Sequence, residues 1–213
     1  MRLDKFLVDC GVGSRTEVKQ LLKQKKIAVN GKKETAGKLQ IDPDKDQVTF
    51  MGEDLVHETF VYYLLNKPAG VISATEDDHH QTVLDLLDET AHHKEVFPVG
   101  RLDIDTHGLL LLTNNGKLAH AMLSPKKHVS KIYRAQVAGI MDEASASSYV
   151  EIEIAEGKFH QVKRMVAACD KEVVDLERIS MGPLTLYPTL QLGEWRRLQP
   201  SELKSLEVFG VPL

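Results

Sequence analysis

The stretch VGRLDIDTHGLLLLTNNG, residues 99–116, places an arginine and two aspartates directly before a run of four leucines. The leucine run predicts a buried strand, and the Asn-Asn-Gly turn after it predicts a change of direction into a helix. Burying a charge is costly unless it is paired, and a surface loop would leave these charges loose in water. Arg101, Asp103 and Asp105 at the edge of the predicted core therefore indicate a working site.

Length and composition indicate a globular protein of one or two domains. The chain has 213 residues, of which 42% are hydrophobic and 27% are charged. Its apolar runs fall short of the roughly 20 residues that a membrane helix needs, and charges interrupt the apolar stretch at the N-terminus, so no signal peptide is expected. These features predict a cytoplasmic protein without membrane contact, with Cys10 and Cys169 as reduced thiols in the core.

Positive charge is concentrated in the first part of the chain. Residues 1–38 carry a net charge of +6, and the remainder carries −10. A capping box of Ser14 and Glu17 predicts a helix there, and an Asn-Gly turn follows a short predicted strand. The lysines of this region belong either to a solvated helix face or to a helix and a turn aimed at nucleic-acid phosphates. Lys32 and Lys33, placed on the turn, favour the phosphate-binding interpretation.

The remaining segments predict an α+β protein in two parts. A small α/β module spans residues 1–57, and a mixed, largely antiparallel sheet flanked by helices spans residues 58–213. In the second part we predict strands or helices in the segments 60–71, 82–89, 108–123, 130–139, 149–169 and 184–206.

The histidines and glycines form no motif that is typical of a metal or cofactor site. His79-His80 and His92-His93 are adjacent pairs in polar, loop-like contexts, and adjacent residues on a strand point to opposite faces. The sequence contains no HExxH motif, Cys/His quartet, phosphate-binding loop or dinucleotide fingerprint. Neither a metal nor a cofactor is therefore expected. His160, after a glycine turn, is better explained as a packing histidine than as an acid or base.

The carboxylates are the stronger chemical candidates. If Asp103 and Asp105 lie on a strand they share a face, which makes a glycosidase pair one interpretation, although such pairs usually come from different strands. A single nucleophilic aspartate is another, and it requires a cation to keep it ionised in a partly dry pocket. Lys163 or Arg164 would supply that cation. In a third interpretation Asp103 only caps a turn and pairs with Arg101.

Five segments together resemble the pseudouridine synthases of the RsuA class, the ribosomal small-subunit type. The stretch GRLDIDTHGLLLLTNNG resembles the nucleophile motif of that superfamily, and the N-terminal segment resembles its S4 RNA-binding module. The resemblance runs nearly end to end in the same order, and it is carried further by LNKPAGVISAT, SPKKHVSKIYRAQV and EGKFHQVKRM. The segments MRLDKF and HHQTVLDLL favour the small-subunit subtype over its large-subunit relatives.

The resemblance implies a cofactor-free isomerase that converts a uridine of ribosomal RNA to pseudouridine. It implies that Asp103 is the nucleophile and that Tyr133 stacks on the extruded uracil. Lys163 would pair with Asp103 and keep it charged. Arg101 would enter the space that the uridine vacates, and Asp105 would be structural, holding the loop through turn hydrogen bonds.

The same resemblance assigns RNA contacts and a partner. Arg15, Lys19, Lys32 and Lys33 of the S4-like module, and Arg164 of the second part, are the candidate contacts. The expected partner is ribosomal RNA within a small-subunit assembly intermediate. A monomer is expected, since no heptad repeat or self-pairing edge is visible.

The chain departs from the pattern of this class in one place. Relatives usually carry a helix and an extra strand after the KIYRAQV strand, where this chain has only DEASASS, residues 142–148. Either the connection is truncated or a segment is missing near 142–148, and we favour a missing segment. Three alternative functions stay open: a large-subunit synthase of the same class, a non-catalytic S4-type ribosome-assembly factor, and a carboxylate-pair nucleosidase or glycosidase.

Overall fold

The structure, a computed structural model, describes residues 1–138 and 147–213. The chain divides into two compact units, Met1–Thr59 and Phe60–Leu213. The boundary that the sequence analysis places after residue 57 stays a prediction, as does the missing segment, because most of 142–148 lies outside the described residues. No helix in the described ranges is long and apolar enough to cross a membrane.

The first unit packs two helices on a small antiparallel sheet. Its elements are α1 (Leu3–Asp9), α2 (Arg15–Lys23), β1 (Ile27–Val29), β2 (Lys32–Glu34), β3 (Val48–Phe50) and β4 (Glu53–Asp54), and the strand order is β2-β1-β3-β4.

Local signals account for the beginning of α2 and for the first hairpin. The predicted capping box is confirmed, because the Ser14 side chain accepts from the Glu17 backbone N–H and the Glu17 side chain accepts in return from the Ser14 backbone. The Asn-Gly turn is also confirmed, since Asn30 and Gly31 both have positive φ angles, as a tight hairpin turn requires. Lys32 and Lys33 are not on this turn but on strand β2.

The second unit is built on an eight-stranded sheet. Its strands are β5 (Tyr62–Lys67), β6 (Phe97–Pro98), β7 (His107–Thr113), β8 (Lys131–Ala138), β9 (Ser147–Ile154), β10 (Glu172–Met181), β11 (Leu184–Thr185) and β12 (Trp195–Arg197). Its helices are α3 (Glu89–His93), α4 (Gly116–Leu123), α5 (Gln161–Ala167) and α6 (Pro200–Leu206), with 3-10 turns at Leu84–Leu86, Pro125–Lys127 and Glu207–Phe209. The main strand order is β12-β5-β7-β10-β8-β9, with β6 beside β7 and β11 beside β10.

The predicted α+β class with a mixed, largely antiparallel sheet is confirmed. Among the strands of the described ranges, β7 and β10 pair in parallel and the other pairs are antiparallel. The leucine run explains why β7 lies inside the sheet. Leu110 and Leu112 pack into a core on one face, and Leu109 and Leu111 pack into a second core on the other face. A strand covered on both faces needs apolar residues at every position.

Strand β10 was not predicted, although it is the longest strand described. The register against β8 shifts between Val173 and Asp175 and again between Arg178 and Ser180. Each shift breaks the alternation of buried and exposed positions by which a strand is found in a sequence. The local pattern of residues 172–181 therefore has no single period of two.

Two smaller predictions were wrong. The helix predicted over 82–89 is a 3-10 turn at Leu84–Leu86, because Leu87 is extended and the Asp88 side chain caps α3 instead. Cys10 is only partly buried and Cys169 is exposed, so the second thiol does not lie in a core. Within the described residues these two cysteines form no disulfide.

Candidate active site

The segment between β6 and β7 forms a loop held by backbone contacts. The Asp103 carbonyl accepts from the Thr106 N–H at 3.1 Å, which closes a turn. The Gly70 N–H donates to the Ile104 carbonyl at 2.7 Å, and the Ser73 hydroxyl bonds both the N–H and the carbonyl of Leu102. Asp103 and Asp105 are therefore not on a strand, as one interpretation assumed, but on a loop that is tied to the segment after β5.

Lys67 holds this loop through hydrogen bonds from its buried side chain to the loop backbone. Its side chain is fully buried, and its ammonium donates to the carbonyls of Pro68, Asp103 and Thr106 at 3.0, 3.1 and 2.9 Å. Burial lowers the pKa of Lys67 to about 8, while the charges of Asp105 and Asp103 act in the opposite direction. A cation is thus buried against the backbone of the loop that carries the two carboxylates.

The loop leads into β7 at a glycine that no other residue replaces without strain. Gly108 has a φ of +106°, and a Cβ there would lie 2.7 Å from the Arg178 nitrogen and 3.0 Å from its carbonyl carbon. Arg178 lies opposite Gly108 in the parallel pairing of β7 and β10, and its Nε donates to the Leu109 carbonyl at 2.8 Å. The close approach of these two strands therefore sets where the loop ends.

A pocket of about 690 Å³ opens beside the loop. Residues 101–106 form one wall, and residues 157–163, from the glycine turn and the first turn of α5, form another. Tyr133 of β8 lines it as well, and this side chain is only 9% exposed. The pocket brings together five residues that the sequence singled out as functional or structural parts of a site: Arg101, Asp103, Asp105, Tyr133 and Lys163.

The carboxylate of Asp103 faces two side chains of the opposite wall. The Asp103 Oδ2 atom lies 3.5 Å from His160 Nε2 and 3.8 Å from Lys163 Nζ, and one third of the side chain is exposed. A carboxylate so placed is available to an incoming group and has positive charge beside it. Such a group can act as a nucleophile or as a base.

The Lys163 ammonium makes its short contacts with Asp105 and not with Asp103. It lies 2.6 and 2.8 Å from the two carboxylate oxygens of Asp105. This hydrogen bond lowers the pKa of Asp105. Asp105 was expected to hold the loop through turn hydrogen bonds, and that role stays a prediction. The structure adds that Asp105 accepts both short hydrogen bonds of Lys163, the cation that was expected to pair with Asp103.

The other candidate contacts lie on exposed surface. Arg164 is exposed on α5, outside the lining of the pocket. In the first unit, Arg15 and Lys19 are exposed on α2, and Lys32 and Lys33 are exposed on β2.

Three features of this site were not predicted from the sequence. Ser73, which holds Leu102, lies within the segment LNKPAGVISAT but was not singled out there. Phe159 lines the pocket although it is 77% exposed. His160, Lys163 and Arg164 of this segment were named as candidates from the sequence, but Phe159 was not. His160 does not pack in a core. Its side chain is 40% exposed and faces Asp103, because a backbone φ of 49° turns it toward the pocket at the beginning of α5.

Two family models match the chain. The model described as RNA pseudouridylate synthase matches residues 61–147, and the S4 domain model matches residues 1–46. Among solved structures, a crystal structure of pseudouridylate synthase is similar, with a TM-score of 0.63 and 31% identity, covering 97% of this chain and 99% of that one.

Similar proteins match over nearly their full length. The chain is 43% identical to the uncharacterized RNA pseudouridine synthase YtzG of Bacillus subtilis, over 97% of this chain and 98% of that protein. It is 35% identical to the ribosomal small subunit pseudouridine synthase A of Yersinia pestis, with coverage of 97% and 98%. It is also 35% identical to the ribosomal large subunit pseudouridine synthase B of Bacillus subtilis, with coverage of 98% and 96%.

Proposed function

The chain belongs to the RNA pseudouridine synthases that carry an S4 domain, and from that membership we propose that it isomerises a uridine of small-subunit ribosomal RNA through Asp103. One observation carries the assignment of the nucleophile. The Asp103 carboxylate lies on the wall of a 690 Å³ pocket, one third exposed, with an imidazole and an ammonium within 4 Å. The pocket volume is in the range of small-molecule sites and accommodates one extruded nucleotide.

The reaction rearranges one bond and requires no external reactant. In the proposed sequence an Asp103 oxygen attacks either the ribose C1′ or the base C6, and the bond between N1 and C1′ breaks. The uracil turns within the pocket, C5 bonds to C1′, and the bond from the Asp103 oxygen to C1′ or C6 breaks. The proton on C5 leaves, and N1 takes up a proton. A covalent intermediate holds the reactive fragments together while the base turns. Product and substrate are isomers, which agrees with a site that needs no redox partner.

Lys163 and Asp105 set the charge balance around the nucleophile. The Lys163 ammonium bonds Asp105 and stays within 3.8 Å of Asp103, so a single cation serves two carboxylates. The Lys163 ammonium therefore places positive charge beside the Asp103 carboxylate while its short hydrogen bonds go to Asp105. In this proposal Asp105 holds Lys163 at that distance, and Lys163 stabilises negative charge on the nucleophile.

Tyr133 and Arg101 contact the extruded nucleotide and the gap that it leaves. Tyr133 is nearly buried in the pocket, so its ring offers a stacking face to the uracil. Arg101 is exposed at the pocket, where a guanidinium can reach a phosphate or a neighbouring base. These contacts offset the few kcal/mol that removing a base from its stack requires.

The S4 domain and the resemblance to ribosomal enzymes support ribosomal RNA as the substrate. The exposed Arg15, Lys19, Lys32 and Lys33 of the first unit, and Arg164 of the second, are proposed phosphate contacts. We further propose that the substrate is an assembly intermediate of the small subunit, and that the protein acts as a monomer in the cytoplasm. The large subunit is the second candidate, because the 35% identity to a large-subunit enzyme equals that to the small-subunit one.

Mapping pseudouridine at single-nucleotide resolution tests the proposal. Cells that lack the gene are complemented with the wild-type chain, with Asp103→Asn, or with Asp78→Asn as a control at an exposed carboxylate. We expect one small-subunit position to lose pseudouridine without the gene and to regain it with the wild type and the control, but not with Asp103→Asn.

Each alternative function has its own result in this experiment. Wild-type levels of pseudouridine in cells that carry Asp103→Asn would refute the assignment of Asp103 as the nucleophile. A pseudouridine map that does not change when the gene is removed would favour the non-catalytic assembly factor. A lost position in the large subunit would move the substrate there, and release of free uracil from RNA by the purified protein would favour the nucleosidase.

A further inference from the structure

Two aromatic rings lie stacked on the wall of the pocket opposite Asp103. The rings of Phe159 and His160 have centroids 3.7 Å apart and planes 20° apart. Phe159 is 77% exposed, so most of its surface faces solvent. Beyond the stack on His160, most of the Phe159 side chain is open to solvent within the pocket. An aromatic face exposed in this way is accessible to a planar group of a ligand.

The ring pair is held in place before any ligand binds. His160 has a left-handed backbone, which non-glycine residues rarely adopt, and its Nε2 lies 3.5 Å from the Asp103 carboxylate. The turn before it is cross-linked, since Gln161 accepts from the Lys158 N–H and donates to the Glu156 carboxylate, both at 3.0 Å. The backbone that carries Phe159 is therefore held by contacts within the turn, and its ring rests on the His160 ring, which limits the freedom that binding removes.

The side chains around the Phe159–His160 pair favour a nucleic-acid base over a protein as its ligand. Lys158 precedes Phe159 in the chain and is exposed, with its ammonium 3.0 Å from the Glu156 carboxylate, and Arg101 lines the same pocket. Aromatic faces flanked by basic side chains are the usual surface for unstacked bases and their phosphates. A single phenylalanine has the area of one base, far below the roughly 800 Å² that each partner buries in a stable protein interface.

We propose that the Phe159–His160 pair stacks the nucleobase next to the extruded uridine. The inference rests on the proposed function and adds a binding subsite to it. When the uridine enters the pocket, its neighbour in the RNA loses a stacking partner. The Phe159–His160 pair replaces that stacking partner at the pocket wall, while Tyr133 stacks on the uracil within the pocket.

The test uses the full chain and a short RNA that contains the mapped uridine. The proteins are the wild type, Phe159→Ala, Phe159→Trp, and Tyr149→Ala as a control at an exposed aromatic side chain on β9 that does not line the pocket. Each neighbour of the uridine is replaced in turn by an abasic nucleotide. Affinity and the single-turnover rate of pseudouridine formation are measured, and thermal melting checks that each variant folds.

We expect Phe159→Ala to weaken RNA binding about tenfold, within the range measured for loss of one base–aromatic stack. Phe159→Trp should retain affinity, and Tyr149→Ala should bind like the wild type. The decisive result is non-additivity. Removing one neighbouring base should weaken the wild type by a similar factor and leave Phe159→Ala unaffected, because the stack is already lost.

Two results would overturn the proposal. In the first, Phe159→Ala binds as tightly as the wild type. In the second, the losses from Phe159→Ala and from the abasic nucleotide multiply, which places Phe159 against something other than that base. Both are read while the wild type forms pseudouridine, so they leave the proposed function intact. A wild type that forms no pseudouridine in ribosomal RNA overturns the function, and the subsite falls with it.

Discussion

Replacing Lys67 with methionine tests whether the buried ammonium holds the loop that carries Asp103. The change removes three hydrogen bonds from a cation to backbone carbonyls and keeps a side chain of similar length. The Asp103 carbonyl keeps its bond from the Thr106 N–H, whereas the Pro68 and Thr106 carbonyls lose this donor. At pH 7 we expect the free energy of unfolding to fall by about 2–4 kcal/mol.

The pH dependence gives a second and sharper expectation. The pKa of Lys67 is lowered from 10.5 to about 8 in the folded protein. Between these values the unfolded chain binds more protons than the folded one, so this group makes the protein more stable as the pH rises. The gain between pH 7 and pH 9.5 is about 2 kcal/mol, since one pKa unit corresponds to roughly 1.4 kcal/mol. Lys67→Met lacks this gain, so its deficit against the wild type should grow with pH.

Urea unfolding at several pH values measures both effects. Trp195, the single tryptophan, reports on the correct unit, because it pairs with Leu65 of the strand that ends at Lys67 and packs edge-on against Tyr63. Subtracting the variant's free energy of unfolding from that of the wild type at each pH cancels the contribution of other titrating groups. Lys126→Met, at an exposed lysine, is the control. A difference between wild type and Lys67→Met that stays constant from pH 7 to 9.5, or is absent at pH 7, would refute the reasoning.

Three further changes test other parts of the structure. Gly108→Ala should prevent folding or destabilise the second unit by more than about 3 kcal/mol, because the new Cβ meets the Arg178 backbone, and soluble yield and melting temperature measure this. Glu202→Gln should remove about 2–4 kcal/mol at pH 7, as it breaks a two-point pair with Arg196 at 2.7 and 2.8 Å, measured by urea unfolding. Lys32→Gln should weaken RNA binding and lower the slope of log affinity against log salt by about one.

For each of these three substitutions, one result would contradict the expected effect. A Gly108→Ala protein with wild-type melting would mean that β7 and β10 can separate at this point. Arg196 lowers the pKa of Glu202, so the stabilisation from this pair should persist above pH 4.5 and disappear as the pH falls through the lowered value. An equal deficit of Glu202→Gln at acid and neutral pH would therefore contradict the pairing. An unchanged salt slope would remove Lys32 from the RNA contacts.

Local patterns were enough for much of the fold. The leucine run predicted β7, the Ser14–Glu17 box predicted the beginning of α2, and the Asn-Gly turn predicted the first hairpin. In each case the deciding interactions join residues that are close together in the chain. The predicted association of Asp103, Tyr133 and Lys163 came from the resemblance, since their spacing along the chain carries no geometric information.

The tertiary structure alone decided how those groups share charge. Lys163 and Asp105 are 58 positions apart, and the ammonium bonds Asp105 while standing 3.8 Å from Asp103. Lys67 is buried against the loop because β5 pairs with β7, which places Lys67 opposite Gly108. Strand β10, whose two register shifts hide it in the sequence, brings Arg178 against Gly108 and sets where the loop ends. Residue types and short-range hydrogen bonds are local properties of a sequence, whereas distances between charges follow from packing between distant segments.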